Sequence, residues 1–487
     1  MLRKLIAVLV VVAVLFVTAG LYVLSRIRLP VVLDVPEQGA VIDGVTVINP
    51  GQPAEPGRRV VVEGGRITRI EAAPADAGGP YVGAFVLPGL TDMHVHLPLE
   101  IYLRQAELFG FLFLRYGVTA VRDAGSLDGS SLEYRERVRR GDFAGPRIYA
   151  CGPFVDGDPP QWPSSKVART PDEGRAVVDE LAALGVDCIK AYNRLDAPTL
   201  AAIREAAHAK GLQVIGHVPS RIPYEQALLD DAQHLIGAAG MPPEGAKSMA
   251  ELLSPWRTVD KDQYALIPRT ALANDLANTP TLVALEQLAT AAENYERASS
   301  EGVGLLLPRY FRDVIWNPTI GLPVLRIMKQ EDYAAIRETR AARFRMVRIL
   351  SAAGARLHLG TDVQIPFVVP GDSMQREMRL FLEAGVPLES IWIYATRGAA
   401  KALNVPDHGE LRDGAPADLL IFRQDPTKSL NALESLEAVV AQGRLYTIAT
   451  LNEGMKRYLL HYEDPWFDDI TMRMTKLAME RMFPAAK

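Results

Sequence analysis

Short apolar runs and longer amphipathic stretches alternate along the chain from about Leu87 to Val405. Two of the amphipathic stretches, "PDEGRAVVDELAALG" and "APTLAAIREAAHAKG", have apolar residues at helical spacing and end in the glycine that is typical of a helix C-terminus. Strand and helix patterns that alternate in this way predict parallel β/α units. We count eight strand candidates, so the chain is expected to be an α/β protein with a (β/α)8 TIM-type barrel. In chain order these candidates are "DMHVHL", "GVTAVRDAG", "PRIYACGP", "VDCIKAY", "LQVIGHV", "DDAQHLIG", "TPTLVAL" and "ARLHLGTD".

Segments with other patterns lie before, within and after the predicted barrel. "RRVVVEGGRITRIEAA" near one end and "LEAVVAQGRLYTI" near the other alternate Val and Ile with polar residues, as short strands do. Each piece is too small to fold comfortably alone, so we expect one small composite β-sandwich domain built from both chain ends. Residues from about Met241 to Gln330 exceed what two units need, and they predict extra helices or loops over the barrel. The tail after Thr447 predicts a helix that packs on the barrel or on a partner subunit of a homo-oligomer.

The first residues form an uncharged apolar run. Leu5 to Leu24 contain no charge, and at about 1.5 Å per residue such a helix would span roughly 30 Å, the thickness of a bilayer core. Arg3 and Lys4 precede the run, which favours a cytoplasmic N-terminus. We therefore expect an N-terminal transmembrane helix that anchors the chain in a membrane, with the rest of the chain outside the cytoplasm. A cleaved signal peptide of a secreted or periplasmic protein is the alternative.

Together these patterns divide the chain into an anchor, a barrel flanked by two parts of one β-domain, and a tail. The predicted boundaries are 1–30 for the membrane anchor, 31–86 for the first sandwich part, 87–405 for the barrel, 406–450 for the second sandwich part and 451–487 for the helical tail.

The net charge of -5 and the pI near 6.0 give no support for a nucleic-acid partner. Of the two cysteines, Cys188 lies in an apolar run, so a buried free thiol is the expected state.

Polar side chains that can bind metal ions stand at the ends of several strand candidates. They are His94, His96, Lys190, His217, His234 and Asp362. The first two are two residues apart, and such side chains leave the same face of a strand. Since the site of a barrel lies at the C-terminal ends of its strands, we expect all these side chains to converge. Imidazole and carboxylate together suit zinc and related ions.

The motifs "FVLPGLTDMHVHL", "IKAY", "GHV", "AQH" and "LGTD", in this order, resemble those of the amidohydrolase superfamily. The stretch "YATRGAAKALNVPDHGELRDGAPADLLIF" is similar to the segment in which the last barrel helix of that family returns to the flanking β-domain. The resemblance extends from about Val41 to Ile448. It is closest to the imidazolonepropionase-like and metal-dependent dipeptidase branch.

The resemblance implies a centre with two divalent metal ions, for which zinc is expected, and with Lys190 as a carbamate that bridges them. The other ligands form two sets, one of His94, His96 and Asp362 and the other of His217 and His234. The metal ions would lower the pKa of a bridging water and polarise the scissile carbonyl. Asp362 would be the catalytic residue that passes a proton to the leaving nitrogen. The expected enzyme hydrolyses a carbon–nitrogen bond of a small molecule: an amide, a dipeptide or an N-acyl amino acid.

One departure from the family bears on substrate recognition. Relatives in the dipeptidase branch often carry a Gly-Gly-His segment after strand three, whereas "CGPFVDGDPPQWPSS" contains no histidine here. Tyr192, Asn193 and Arg194 follow Lys190 directly, and Arg221 follows His217 closely. Tyr192, Arg194 and Arg221 are therefore our candidate substrate contacts, and a guanidinium can bind a carboxylate with two hydrogen bonds.

Two other classes of function remain open. A mononuclear deaminase or a cyclic amide or imide hydrolase of the same fold would have no need of a lysine on strand four. A membrane-tethered binding module without activity would be expected to have lost some of the ligands, whereas all six are present in the sequence. The sequence does not identify the substrate.

Overall fold

The computed structural model describes residues 2–27, 33–99, 105–227, 229–243, 245–291, 295–296 and 302–482. Its β-strands are β1 (Gly39–Val47), β2 (Glu55–Glu63), β3 (Arg66–Ala72), β4 (Phe85–Pro88), β5 (Leu90–Val95), β6 (Val118–Asp123), β7 (Arg147–Ala150), β8 (Phe154–Asp156), β9 (Lys166–Val167), β10 (Cys188–Ala191), β11 (Gln213–Gly216), β12 (Asp231–Gln233), β13 (Ala277–Thr279), β14 (Leu419–Phe422), β15 (Leu436–Ala441) and β16 (Arg444–Thr447).

The α-helices of the described residues are α1 (Leu2–Ile27), α2 (Gln105–Arg115), α3 (Ser130–Arg140), α4 (Pro171–Ala183), α5 (Ala197–Ala209), α6 (Met249–Leu252), α7 (Pro255–Thr258), α8 (Lys261–Ala273), α9 (Leu282–Ala291), α10 (Pro323–Ile327), α11 (Gln330–Ala352), α12 (Asp372–Glu383), α13 (Leu388–Ile393), α14 (Ala399–Ala402), α15 (Ile448–Tyr462) and α16 (Pro465–Met482). Short 3₁₀ turns span Tyr224–Gln226, Gly302–Leu306 and Leu430–Ser435, and π-helical turns span Tyr310–Ile315 and Tyr394–Gly398.

Parallel strands form the ring that carries the candidate ligands. β5, β6 and β7 pair in parallel, and so do β10, β11, β12 and β13. Between β7 and β10, the N–H of Asp187 donates to the carbonyl of Ala150 at 2.8 Å. On the other side, residues 356–361 lie between β13 and β5, and the N–H of Met93 donates to the carbonyl of Leu359 at 2.9 Å. The α/β fold expected from the alternating pattern is confirmed.

Local signals explain where the helices between the strands begin and end. The hydroxyl of Thr170 accepts a hydrogen bond from the N–H of Glu173 at 3.2 Å and caps α4. Asp196 caps α5 in the same way. Both helices are followed by a glycine with a left-handed backbone, Gly185 at φ 76° and Gly211 at φ 73°, a conformation that glycine adopts without steric cost.

The seventh strand shares only its last residue, Thr279, with the run that was predicted to form it. β13 ends at Thr279, whereas the residues of "TPTLVAL" from Leu282 onward begin α9. Thr281 separates the two elements with a left-handed backbone, at φ 48°. A short apolar run is compatible with a buried strand and with a buried helix, so periodicity alone gave the wrong element here.

Both ends of the chain contribute to a second sheet. In the described part of the chain, seven strands form it in the order β16-β15-β14-β4-β1-β2-β3. β4, from the N-terminal side, pairs in parallel with β1 and antiparallel with β14 from the C-terminal side. Bridges between Gln38 and Arg444 and between Arg66 and Pro416 fold this sheet over an apolar core of its own. The division of the chain into domains stays a prediction.

The C-terminal tail forms two helices that contact the barrel side of the molecule. The side chain of Asn452, on α15, accepts a hydrogen bond from Arg115 at the end of α2 at 2.7 Å. On α16, Asp468 pairs with Arg309 at 2.6 Å. The described tail therefore packs on the helices that surround the barrel.

The predicted transmembrane anchor is wrong. Crossing the bilayer core takes about 20 consecutive apolar residues in one helix. Among the described residues, no helix is both long enough and apolar enough to do so. The membrane-anchored location and the membrane contact that were inferred from the anchor are corrected with it. α1 contacts the C-terminal tail, where the rings of Tyr22 and Trp466 lie 6.0 Å apart.

The two cysteines form a disulfide and are not free thiols. Cys151 directly follows β7, and Cys188 begins β10. They are 37 residues apart in sequence, but neighbouring positions in the ring bring their Cα atoms to 4.4 Å. The apolar surroundings of Cys188 indicated burial correctly, but they contained no information about a partner that only the closed ring supplies.

A buried ionic network braces the barrel beneath the strand ends. Asp231, on β12, accepts hydrogen bonds from Arg122 and Thr279 and pairs with Nδ1 of His358 at 3.0 Å. Arg122 also donates to the carbonyl of Met93 at 2.8 Å, so the network joins β5, β6, β12, β13 and residues 356–361. Burial alone would raise the pKa of Asp231, but the charge of Arg122 and the imidazole of His358 hold it below its usual range. Asp231 is therefore ionised and fully engaged.

We expect Arg122→Met to lower the free energy of unfolding by about 3–5 kcal/mol, because it leaves the carboxylate of Asp231 buried without its cation. Urea denaturation of the full chain measures this loss. The control is Arg139→Met, which removes a surface cation whose side chain is 73% exposed and is expected to cost about 1 kcal/mol or less. Equal losses in the two variants would contradict a bracing role for the network.

Candidate metal centre

The side chains singled out in the sequence come together at one end of the barrel. His94 lies on β5 and His96 just beyond it, Lys190 lies on β10, and His217 and His234 directly follow β11 and β12. Asp362 ends the segment that pairs with β5, where its N–H donates to the carbonyl of His94 at 2.7 Å. His94 and Lys190 are fully buried.

Asp362 is the carboxylate around which the imidazoles gather. Its Oδ1 lies 3.3 Å from Nε2 of His94 and 3.2 Å from Nε2 of His96, and its Oδ2 lies 3.9 Å from Nδ1 of His234. The ring of His217 is 4.8 Å from that of His234. Among the described residues, His94, His234 and Asp362 offer ligand atoms within 4.8 Å of one another. This triplet combines members of both ligand sets implied by the family resemblance.

Hydrogen bonds at Nδ1 orient three of the four imidazoles. Nδ1 of His96 lies 2.7 Å from the carbonyl of Gly125, and Nδ1 of His217 lies 2.8 Å from Oδ1 of Asn193. Both oxygens can only accept, so each Nδ1 carries a proton, and in the neutral ring Nε2 has the lone pair that a metal ligand needs. Nδ1 of His234 lies 2.6 Å from the hydroxyl of Thr281.

His94 provides a test of whether a cation fits. Its side chain is fully buried, and among the described residues neither ring nitrogen has a hydrogen-bond partner. An imidazole without hydrogen bonds in the interior is costly unless another partner uses its lone pair. Nε2 faces the oxygen of Asp362 and the rings of His96 and His234 are 5.2 and 4.6 Å away, so this donor set fits a divalent metal ion.

Burial determines the protonation of the imidazoles. It lowers the pKa of His234 to about 4, with the carboxylate of Asp362 opposing the shift, and it holds those of His94 and His217 well below the usual range. At His96, burial also lowers the pKa, but the hydrogen bond with Asp362 and its charge outweigh that effect and raise it. Most of the site is therefore built for neutral imidazole, the form that binds metal.

The pKa values of the carboxylate of Asp362 and of the amine of Lys190 are both lowered, which favours the charged form of the first and the neutral form of the second. Burial would raise the pKa of Asp362, but His94 and His96 hold it well below its usual range, so the group is ionised. Burial lowers the pKa of Lys190 to about 7, against the opposing charge of Asp362. Nζ of Lys190 donates a hydrogen bond to Oε1 of Gln233 at 2.8 Å. A large fraction of neutral amine is thus available at neutral pH.

The three candidate substrate contacts differ in position. The ring of Tyr192 lies 4.3 Å from that of His217, and its hydroxyl accepts a hydrogen bond from Trp162 at 3.0 Å. Arg194 is exposed, and its guanidinium donates to the carbonyl of Pro159 in the neighbouring loop. Arg221 is exposed, four residues after His217. Of the three, Tyr192 therefore has its ring in contact with a candidate metal ligand, His217.

The loop that replaces the Gly-Gly-His segment is held against the residues that follow Lys190. Buried Asp156 accepts hydrogen bonds from the N–H groups of Gln161 and Arg194, at 2.9 and 2.7 Å. Nδ2 of Asn193 donates to Oε1 of Gln161 at 2.5 Å. Asn193 therefore connects this loop with Nδ1 of His217.

The sequence reading missed the residues that orient the ligands. Thr281 lay inside the run that was assigned to the seventh strand, so its position beside His234 was not visible. Gln233 precedes His234 in "AQH", and nothing in the sequence indicates that it meets Lys190. Asn193 was noted as a neighbour of Lys190, and no local signal connected it with His217, 24 residues further on.

Comparisons with known proteins bear on this geometry. The sequence model of the Amidohydrolase family matches residues 85–446, well over half of the 487-residue chain. A search of curated proteins found no match.

Several solved structures are similar. One described as bottromycin amidohydrolase has a TM-score of 0.68 and 23% identity, covering 88% of this chain and 92% of that one. A Xaa-Pro dipeptidase with methionine in its active site has a TM-score of 0.62 and 19% identity, covering 84% and 100%. Ochratoxinase from A. niger has a TM-score of 0.58 and 16% identity, covering 84% and 96%. At these identities, the similarity concerns the fold alone.

We expect Asn193→Ala to weaken Zn2+ binding about 10–100-fold, because it removes the acceptor that fixes the tautomer of His217. Competition between the full-length protein and a chelator measures the affinity. Asn452→Ala is the matched control, since the side chain of this asparagine accepts a hydrogen bond from Arg115 at the end of α2 and not from an imidazole of the centre. An unchanged affinity in Asn193→Ala would show that the hydrogen bond has no part in metal binding.

Proposed function

Because this chain belongs to the amidohydrolase family, we propose that it hydrolyses an amide, a dipeptide or an N-acyl amino acid at a centre of two divalent metal ions. It is a metal-dependent hydrolase of carbon–nitrogen bonds, and its substrate is a small molecule. The bond type and the number of ions are our assignment. The strongest support is the gathering of His94, His96 and His234 around the ionised carboxylate of Asp362.

We assign six residues to the centre. One ion would be held by His94, His96 and Asp362, and the other by His217 and His234, with Lys190 between them as a carbamate. Oxygen and imidazole donors of this kind suit zinc. When bound, the two ions would polarise the scissile carbonyl and make the attacking water more acidic.

Asp362 is the residue that we assign to proton transfer. As an ionised carboxylate it can accept a proton from the attacking water and then deliver it to the leaving nitrogen, which turns a poor amide leaving group into an amine. The backbone hydrogen bond from its N–H to the carbonyl of His94 holds it in place. His94 and His96 both lie next to Oδ1 of this carboxylate, and His234 lies next to Oδ2.

Aromatic rings next to the centre suggest what the substrate presents. Phe154 lies 5.8 Å from the ring of His96 and 5.1 Å from that of Tyr192. Tyr192 in turn lies against His217. The rings of Phe154 and Tyr192 therefore form an apolar surface next to the candidate ligands His96 and His217. We therefore propose Tyr192 as an aromatic substrate contact, and Arg221 as a cationic contact for a substrate carboxylate. Arg194 stays a weaker prediction, since its guanidinium is engaged with Pro159. Assembly into a homo-oligomer also stays a prediction.

Metal content per chain tests the assignment. We expect about two Zn2+ per chain in the full-length wild type when bicarbonate is present, and about one or fewer in Lys190→Ala, because the bridging anion is lost. Elemental analysis after removal of free metal gives the count. Lys210→Ala is the control, since Lys210 is a surface residue that pairs with Asp179 and is expected to leave the count unchanged.

One ion per chain in wild type and in Lys190→Ala would contradict the dinuclear mechanism and direct the substrate search to deaminase and cyclic-imide substrates. With two ions, dipeptides and N-acyl amino acids with apolar side chains are the first substrates to assay.

A further inference from the structure

Lys190 and Gln233 form a buried pair next to the ligand candidates. Both side chains are fully buried, and Nζ donates to Oε1 of Gln233 at 2.8 Å. Within the described residues, the amide nitrogen Nε2 of Gln233 has no hydrogen-bond partner. A buried amide donor without an acceptor costs free energy, so the position needs an explanation.

Nearby carboxylates do not replace Gln233 as the partner of the lysine. Asp231, two residues earlier on β12, already accepts hydrogen bonds from Arg122 and Thr279 and pairs with His358. Asp362 is engaged with imidazoles of the centre. Nζ of Lys190 is therefore held by the oxygen of a neutral amide, which fixes its position.

An amide offers an acceptor on one side and a donor on the other. The amide oxygen of Gln233 can accept a hydrogen bond from the amine of Lys190. Its amide nitrogen can donate one to a carboxylate oxygen of the carbamate. We propose that Gln233 is a positioning residue that serves both states of Lys190: Oε1 aims the amine for carboxylation, and Nε2 then donates to an oxygen of the carbamate. This role rests on the proposed function, in which Lys190 is carboxylated.

The reaction is balanced by dissolved CO2. The lone pair of the neutral amine forms an N–C bond to the carbon of CO2, one C=O electron pair moves onto oxygen, and a proton leaves the nitrogen to water. The product keeps one N–H on the nitrogen and carries two carboxylate oxygens one carbon beyond it, so a donor is now required beside those oxygens. Rotation of the Gln233 amide about its last bond supplies that donor.

Gln233→Met tests the role, because methionine has a similar size and offers neither an amide donor nor an amide acceptor. The full-length protein is supplied with 13C-bicarbonate and Zn2+, and the 13C signal of the lysine carbamate is followed by NMR, with Lys190→Ala defining the background. We expect Gln233→Met to need about tenfold more bicarbonate than wild type for half-maximal signal, which corresponds to about 1.4 kcal/mol. Metal content per chain is expected to follow the carbamate signal and to recover at high bicarbonate.

Gln105→Met is the matched control. Gln105 is also a buried glutamine and donates to the hydroxyl of Tyr310 at 3.0 Å, on helix α2 and not on a strand of the ring. It is expected to load at the bicarbonate concentration of wild type. If thermal unfolding shows that Gln233→Met does not fold, Gln233→Asn replaces it. Asparagine keeps the amide on a side chain that is one methylene shorter, so this variant is also expected to need more bicarbonate than wild type.

The outcomes separate the two levels of the assignment. Wild-type loading in Gln233→Met, or in Gln233→Asn if that variant is the one used, would overturn the role of Gln233 while leaving the dinuclear centre intact. A wild type without a carbamate signal at any bicarbonate concentration would overturn the carbamate of the proposed function and the role of Gln233 together.

Discussion

A single buried carboxylate, Asp231, holds together the strands whose ends carry the candidate ligands. Through Arg122, Thr279 and His358 it connects β12 with β6, β13 and residues 356–361, and Arg122 extends the connection to the backbone beside His94. Burying the carboxylate of Asp231 and the guanidinium of Arg122 away from water costs free energy, and this cost is offset only when all their hydrogen-bond partners are in place. The positions of the strand ends therefore depend on each other. The positions of the candidate ligands at those ends depend on the same network.

Above this network, the chemistry depends on hydrogen bonds that come from outside the strands. The carbonyl of Gly125, the amide of Asn193 and the hydroxyl of Thr281 each take one ring nitrogen of an imidazole. At His96 and His217 the acceptor oxygen fixes a proton on Nδ1, and in metal sites such partners matter nearly as much as the ligands themselves. Since Asn193 also bonds Gln161, the loop that departs from the dipeptidase pattern is coupled to the centre. Asn193 thus connects this loop with the orientation of His217.

The errors of the sequence reading have physical causes. The run "TPTLVAL" fitted a buried strand and a buried helix equally well, and tertiary packing decided for the helix from Leu282 onward. Cys151 and Cys188 are bonded because adjacent strands bring them together across 37 residues. The uncharged N-terminal run was interpreted as a membrane span, whereas no described helix meets the length and apolarity that crossing requires. In each case a local pattern was compatible with more than one environment.

The sequence by itself determined the α/β architecture and the positions of the candidate ligands, because strand and helix periodicity, caps and the placement of polar residues after apolar runs are local properties of the chain. It also carried the motifs of the amidohydrolase family in order. Only the tertiary structure decided that Asn193 meets His217, that Gln233 meets Lys190 and that Asp231 is saturated by its partners. These contacts join residues that are distant in sequence, and a hydrogen bond between such residues depends on distances and directions that exist only once the ring has closed.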